Sequence, residues 1–333
     1  MTRPRALWTP PLRDGVSASR VAVSAGPWPL LADFLAARLP AATDWPERLA
    51  RGEVLDAQGQ AVAADAPAVA GQVLWYWRAP PPEPVPPEDI AVLHQCAHLV
   101  AVDKPHFMSV TPGGRHLHQT VLVRLKRLLG IATLVPMHRL DRETAGVLLF
   151  IVRPEDRHAY QTLLREREVY KVYEAVAPWR DGLSWPVDCT DRLVEPPGAD
   201  FMQMQVQPGE PNAQTRIELI CRLDADLAPD RAPGLAHYRL LPLTGRKHQL
   251  RMHMNGLGLP IVGDRIYPRL WPEPPLGAPP DWSNPLQLLA RDIAFTDPVT
   301  GQARHFVSRR SLARAGSAAS AAAAAAPESP SSP

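Results

Sequence analysis

His138-Arg139-Leu140-Asp141-Arg142-Glu143-Thr144-Ala145-Gly146, followed by Val147-Leu148-Leu149-Phe150-Ile151-Val152, is the stretch from which the rest of the chain can be read. Its second half is a short, unbroken apolar run of the length that suits a buried strand. Its first half wedges one carboxylate between two guanidinium groups just ahead of that strand. Nearby cations favour the ionised carboxylate, which suits a nucleophile better than a proton donor. The same residues also make an ordinary turn or capping ion pair. Composition at this point leaves both open.

Working outward, further strands are expected at 99–102, 170–177, 215–223 and 237–243, and helices at 120–129, 154–166 and 247–255. Together with the strand at 146–152 they predict an α+β domain over 89–310. Its mixed, largely antiparallel sheet would be flanked by helices around a central cleft. Upstream, residues 79–88 hold six prolines and predict a stiff, extended linker. Residues 30–78 predict a small α+β module: Leu30, Leu31, Phe34, Leu35 and Leu39 recur at helical spacing, a second helix runs to Arg51 before Gly52, and strands are expected at 54–57, 60–63 and 73–77. Residues 1–29 are expected to be an irregular lead-in, the Pro-rich stretches 195–211 and 268–285 surface loops, and the Ala/Ser/Pro tail at 316–333 disordered.

Length and composition fit this plan. The chain has 333 residues, enough for two domains, and its 39 prolines exclude long uninterrupted helices and coiled coils. No stretch approaches the roughly 18–20 apolar residues of a membrane span, and the N-terminus lacks the apolar centre of a secretory signal. Cys96, Cys189 and Cys221 are odd in number and lack metal-ligand spacing. A reduced, cytoplasmic protein is expected, with no membrane partner and no metal. Gly113-Gly114 is read as a turn, since no Lys-Ser or Lys-Thr follows to open a phosphate-binding helix.

The formal charge of +2 hides a segregation. Residues 30–90 carry nine acids and four bases, whereas 104–153 carry eight bases and two acids, Asp141 and Glu143. Residues 241–270 add Arg246, Lys247, Arg251, Arg265 and Arg269 against Asp264 alone. Brought together, these segments would attract a polyanion through counterion release. The alternative is a solvated face paired with acids elsewhere.

The opening stretch resembles the signature of the RluA-type pseudouridine synthases, which reads His-Arg-Leu-Asp, two variable residues, Thr-Ser-Gly. Other elements of that family follow in order: Val102-Asp103-Lys104-Pro105, Lys171-Val172-Tyr173, Leu243-Thr244-Gly245-Arg246-Lys247-His248-Gln249-Leu250-Arg251 and Gly263-Asp264-Arg265-Ile266-Tyr267. The resemblance covers roughly 90–308. It implies an RNA-modifying isomerase that needs no cofactor, with Asp141 as nucleophile, Arg246 as the basic residue paired with it, Tyr173 packed on the target base and Leu243 as the opposite apolar wall. It implies that Arg139 enters the space left by a flipped nucleotide, with His138, Arg142, Lys104, Lys171 and Arg251 as further base-flipping or RNA-binding residues. The expected partner is rRNA or tRNA, acted on by a monomer. Residues 30–78 more weakly resemble the small αL RNA-binding module of such enzymes, in a degenerate, acidic copy. Two departures stand out: Ala145 replaces the usual Ser, and His106-Phe107-Met108 replaces an Ala-Gly-Leu type of turn. A catalytically silent RNA-binding or ribosome-assembly protein on the same fold is the alternative, and a carboxylate-dependent hydrolase is a third reading of Asp141, Tyr173 and Arg246 taken alone.

Overall fold

A computed structural model describes residues 8–40, 42, 44–79, 82–196, 202–223, 234–272, 275 and 277–315; the tail at 316–333 lies outside them. The chain forms two units, one from residues 1–83 with 112–132 and the other from 84–111 with 133–333. This division differs from the expected boundaries, because 112–132 returns to the N-terminal unit. The reason is local. Val16, Leu117 and Val123 bury one another, the Glu83 carboxylate accepts the backbone N–H groups of Leu117, His118 and Gln119, and Arg127 donates to the Asp14 carbonyl.

The smaller unit contains strand β1 (Ser19–Ala22), helices α1 (Leu31–Arg38) and α2 (Trp45–Ala50), and strands β2 (Val54–Leu55) and β3 (Val73–Tyr76). Its sheet runs in the order β1, β3, β2. The helices pack Leu31, Phe34, Leu35, Trp45 and Leu49 against Val54, Leu74 and Tyr76. The irregular lead-in is therefore corrected: β1 lies inside it and pairs with β3 from Ser19 to Ala22. The strand expected at 60–63 is reduced to one bridge, Leu55 to Ala61. There the Asp56 carboxylate takes the N–H groups of Gln58 and Gln60, so a side chain closes the turn in place of a ladder. Helix α3 (Val121–Leu129) also belongs to this unit, with Thr120 accepting from the Val123 N–H at its start and Gly130 at φ 69° ending it.

The larger unit contains β4 (Ala91–Gln95), β5 (Leu99–Lys104), β6 (Val135–Pro136), β7 (Ala145–Ile151), α4 (Arg157–Arg165), β8 (Tyr170–Pro178), β9 (Val187–Asp191), β10 (Leu193–Val194), β11 (Gln205–Val206), β12 (Ala213–Arg222), β13 (Leu235–Pro242), α5 (Gln249–Gly256), β14 (Leu288–Thr296) and β15 (Ala303–Val307). Among the described residues its main sheet runs β4, β5, β7, β14, β8, β13, β12, β9, with β15 on β14 and β6 on β7. The pairing is antiparallel except between β7 and β14. The expected α+β class, with a mixed, largely antiparallel sheet, is what forms. One apolar cluster packs α5 on the sheet through Leu250 and Met254 against Ile217, Tyr238 and Leu240. A second packs α4 through Tyr160 and Leu163 against Leu149, Ile151 and Phe295.

Gly146 marks the closest approach of β7 to β14. Its φ is 112°, and a Cβ there would lie 2.2 Å from the Ala290 carbonyl oxygen of the parallel neighbour β14, so only glycine fits. The strand begins at Ala145, immediately after the loop that carries Asp141.

Candidate active site

Asp141 sits in the short loop between β6 and β7, where the Thr144 N–H donates back to the Asp141 carbonyl at 3.2 Å. Its side chain is 31% exposed, and Oδ2 accepts Nη1–H of Arg251 at 3.1 Å. Arg251 is 2% exposed and donates through Nε and Nη2 to both oxygens of Asp264, at 2.8 and 2.6 Å, a bidentate pair. Asp264 is held in turn, since Oδ1 accepts the N–H groups of Ile266 and Tyr267 at 2.7 and 2.9 Å. The Gly263–Tyr267 turn thus fixes a carboxylate, the carboxylate fixes a guanidinium, and the guanidinium fixes Asp141. Burial works against the charge on Arg251, but the two carboxylates outweigh it and raise its pKa further, so it stays cationic.

This corrects the expected pairing. Arg246 is exposed, and its Nε donates to the Asn212 carbonyl at 3.0 Å. Helix α5 begins at Gln249, so Arg251 lies in its first turn and is buried, while Arg246 remains on the preceding loop. Arg251 is accordingly a buried ion-pair partner and not a surface contact. Lys104 is corrected as well. Fully buried, its Nζ donates to the carbonyls of Pro105, Met108 and Arg142, which leaves no face for RNA. Desolvation by burial brings its amine down to about 7. Its work is to tie the 105–108 loop to the loop of Asp141.

The other expected residues converge. A cavity of about 110 Å³ is lined by Arg139, Leu140, Asp141, Thr144, Lys171, Tyr173, Pro242, Thr244, Gly245, Arg246, His248, Gln249, Leu250, Arg251 and Leu288. One water needs only about 10–15 Å³. Beside it a groove of about 960 Å³ shares Asp141, Tyr173 and His248, and adds Leu243, His138, Arg142, Arg165, Arg167 and Lys247. Among its described lining residues seven are Lys or Arg and one, Asp141, is acidic. The two basic segments contribute only in part, Arg139 and Arg142 from one and Arg246 and Lys247 from the other, and Lys171 with Arg165 and Arg167 at the end of α4 supplies the rest. Leu243 is 54% exposed and lines only the wider groove. The apolar walls of the smaller cavity are Leu140, Pro242, Leu250 and Leu288.

Burial shifts several of the groups around Asp141 towards their neutral forms. Burial and the charge of Asp141 push the Tyr173 phenol above its usual range, so it keeps its proton. Burial, with Lys171 nearby, holds the His138 imidazole at about 4. Burial also lowers the pKa of Lys171. Arg142 pairs with Glu143 at 3.1 Å, and among the described residues no such pairing holds down Arg139, which is exposed at the junction of both cavities.

Both departures from the expected motifs have local causes. Ala145 is fully buried in an apolar cluster with Val176 and Leu289, where a hydroxyl would need a partner. Phe107 takes φ 62°, a region that favours glycine, and its ring meets Trp282 at 5.0 Å, from the end of the 268–285 insertion. Sequence reasoning also missed Gln249. It is 3% exposed and ties the 243–247 loop to β12 by accepting from Thr244 Oγ1 and the Arg246 N–H while donating to the Gln214 carbonyl and Thr215 Oγ1.

Residues 98–256 match the RNA pseudouridylate synthase family. The chain is 33% identical over 225 residues to an uncharacterized RNA pseudouridine synthase of Synechocystis, covering 67% of this chain and 73% of the relative. It is 30% identical over 234 residues to the dual-specificity RNA pseudouridine synthase RluA of Haemophilus influenzae, covering 68% of this chain and 94% of that one. Among solved structures, human RNA pseudouridylate synthase domain containing 1 superposes with a TM-score of 0.52 at 20% identity, over 68% of this chain and 86% of the other, a likeness of fold.

Proposed function

This chain belongs to the RluA-type RNA pseudouridine synthases, and from that premise we propose that Asp141 is the nucleophile that detaches a uracil from its ribose. One observation carries the assignment: a partly exposed carboxylate, held by a buried guanidinium, is the sole acid among the described residues lining a groove with seven Lys and Arg side chains. The reaction breaks the bond from C1′ to N1 and forms one from C1′ to C5. The C5 hydrogen leaves, N1 gains one, and formula and oxidation state are unchanged. Stoichiometry therefore asks for no cofactor.

Each neighbour has a part. Arg251 holds and aims Asp141 through its hydrogen bond and, staying cationic, gives it no proton. Tyr173, neutral and mostly enclosed, offers a ring face for the base, and the small cavity confines the detached uracil so that it turns over before it escapes. Flipping the nucleotide out of its stack costs a few kcal/mol, which Arg139 offsets by filling the vacated space. Arg142, Arg246 and Lys247 contact phosphates. The partner is structured RNA, rRNA or tRNA, modified in the cytoplasm by a monomer; the dual-specificity name of the relatives motivates assaying both RNAs side by side. Pseudouridine mapping of cellular RNA with wild type and with Asp141→Asn tests the assignment. One or more uridines lose modification in the variant; an unchanged map, with no conversion by the purified protein, refutes it and leaves the silent RNA-binding alternative.

A further inference from the structure

His248 stands beside the carboxylate with no part in the chemistry above. It lines both the small cavity and the groove, its side chain is 8% exposed, and its backbone sits at φ 54° immediately before α5. Residues held in that sparsely populated region cluster at functional sites. The ring is also held at its far side. Nδ1 lies 3.1 Å from the hydroxyl of Tyr267, and that oxygen accepts the Met204 N–H at 2.6 Å. Tyr267 is 4% exposed, and among the described residues its hydroxyl makes these two hydrogen bonds. With the oxygen accepting from Met204, the phenolic proton goes to Nδ1 of His248. A neutral imidazole has one N–H, so it lies on Nε2, the nitrogen that faces Asp141 with 3.9 Å to Oδ1. That distance is too long for a hydrogen bond. The N–H is thus aimed at the reacting carboxylate and not consumed by it.

Burial keeps this imidazole uncharged: it lowers the pKa, with Arg251 and Lys247 acting in the same sense and Asp141 and Asp264 against it. We propose that His248, in its Nε2–H form, donates a hydrogen bond to a carbonyl oxygen of the uracil as the base detaches. This rests on Asp141 being the group that attacks. When the C1′–N1 bond breaks, its electron pair leaves with the base, and the negative charge spreads from N1 onto the adjacent carbonyl oxygens. A neutral donor stabilises that charge without transferring its proton, so the base remains an anion able to rejoin through C5. Tyr267 is then a positioning residue that sets the tautomer.

Two measurements on the full chain test this. In the ¹⁵N imidazole spectrum of histidine-labelled protein at neutral pH, with His248 assigned by its loss in His248→Gln, Nε2 carries the proton and Nδ1 does not; the reverse tautomer overturns the proposal. In single-turnover assays at saturating RNA, His248→Leu slows conversion about 10²-fold, the scale for losing one donor to a developing anion, with RNA affinity unchanged. His248→Gln, whose amide N–H reaches a similar position, recovers most of that loss. A His248→Leu enzyme as fast as wild type, or a Gln variant as slow as Leu at an unchanged melting temperature, overturns it. Asp141→Asn is the control: if it retains activity the nucleophile assignment falls, whereas an inert Asp141→Asn beside a fully active His248→Leu removes the His248 proposal alone.

Discussion

Replacing Arg251 with Met removes three charge-assisted hydrogen bonds, two to Asp264 at 2.6 and 2.8 Å and one to Asp141 at 3.1 Å. Asp141 is 31% exposed and regains water, so its share of the loss is small. Asp264 is 1% exposed and is left as a buried anion with only the Ile266 and Tyr267 N–H groups. Bonds to charged groups are worth about 1.5–3 kcal/mol each, and removing one partner of a buried ion pair costs about 3–5 kcal/mol. The two routes agree, and a loss of about 4 kcal/mol is expected. At roughly 2–4 °C per kcal/mol for a domain of about 150–250 residues, the larger unit melts about 8–16 °C lower by calorimetry. Adding Asp264→Asn removes the buried charge while its Oδ1 still accepts both backbone donors, so the double variant recovers about half of the deficit. Melting of Arg251→Met within 2 °C or so of wild type refutes this reasoning. So does a double variant whose losses simply add, because additivity means the two residues are not coupled.

Other perturbations follow from separate parts of the structure. Burial raises the pKa of Glu174, but hydrogen bonds from His237 and Arg291 outweigh it and hold the carboxyl at about 2, against 4.5 ordinarily. That depressed value means its stabilisation is complete above about pH 4.5 and disappears as the pH falls towards 2, about 3 kcal/mol in all; denaturant titrations across this window show the slope, and Glu174→Gln flattens it. Gly146→Ala drives a methyl into the Ala290 backbone at a positive φ, and strain plus overpacking cost at least about 2 kcal/mol, seen as a lower urea midpoint. Arg246→Ala reduces the slope of log affinity against log salt by about 0.7–0.9, measured by filter binding; an unchanged slope removes Arg246 from the phosphate contacts.

The parts of the fold legible in the sequence are those in which burial is continuous or strictly periodic. Strand β7 is apolar throughout and β5 nearly so, and each reads directly as a central strand. Strand β14 is not legible, because Arg291 and Asp292 interrupt Leu-Leu-Ala and Ile-Ala-Phe; the interruption is real chemistry, since Arg291 makes a bidentate pair with buried Glu174 on the neighbouring strand β8. Strands β4, β9 and β15 are not legible because their residues are mostly only partly buried or exposed and about half polar. At the site, the opening motif pointed to Asp141, but Arg246 and Arg251 lie five residues apart in one basic run. Which of them faces the carboxylate depends on α5 starting at Gln249 after a left-handed His248, and no periodicity encodes that start. Lys104 reads as a surface cation in any charge count, and only the carbonyls converging on Nζ reveal it as a buried tie.

The central claim, that Asp141 performs uridine isomerisation, meets its most direct test in tritium release from RNA labelled at uridine C5. Purified wild-type protein and Asp141→Asn are compared in single turnover, on rRNA and tRNA, at concentrations that saturate binding. The wild type releases tritium to solvent as pseudouridine accumulates, and Asp141→Asn binds the same RNA with similar affinity and releases none. Release by Asp141→Asn at the wild-type rate contradicts the account.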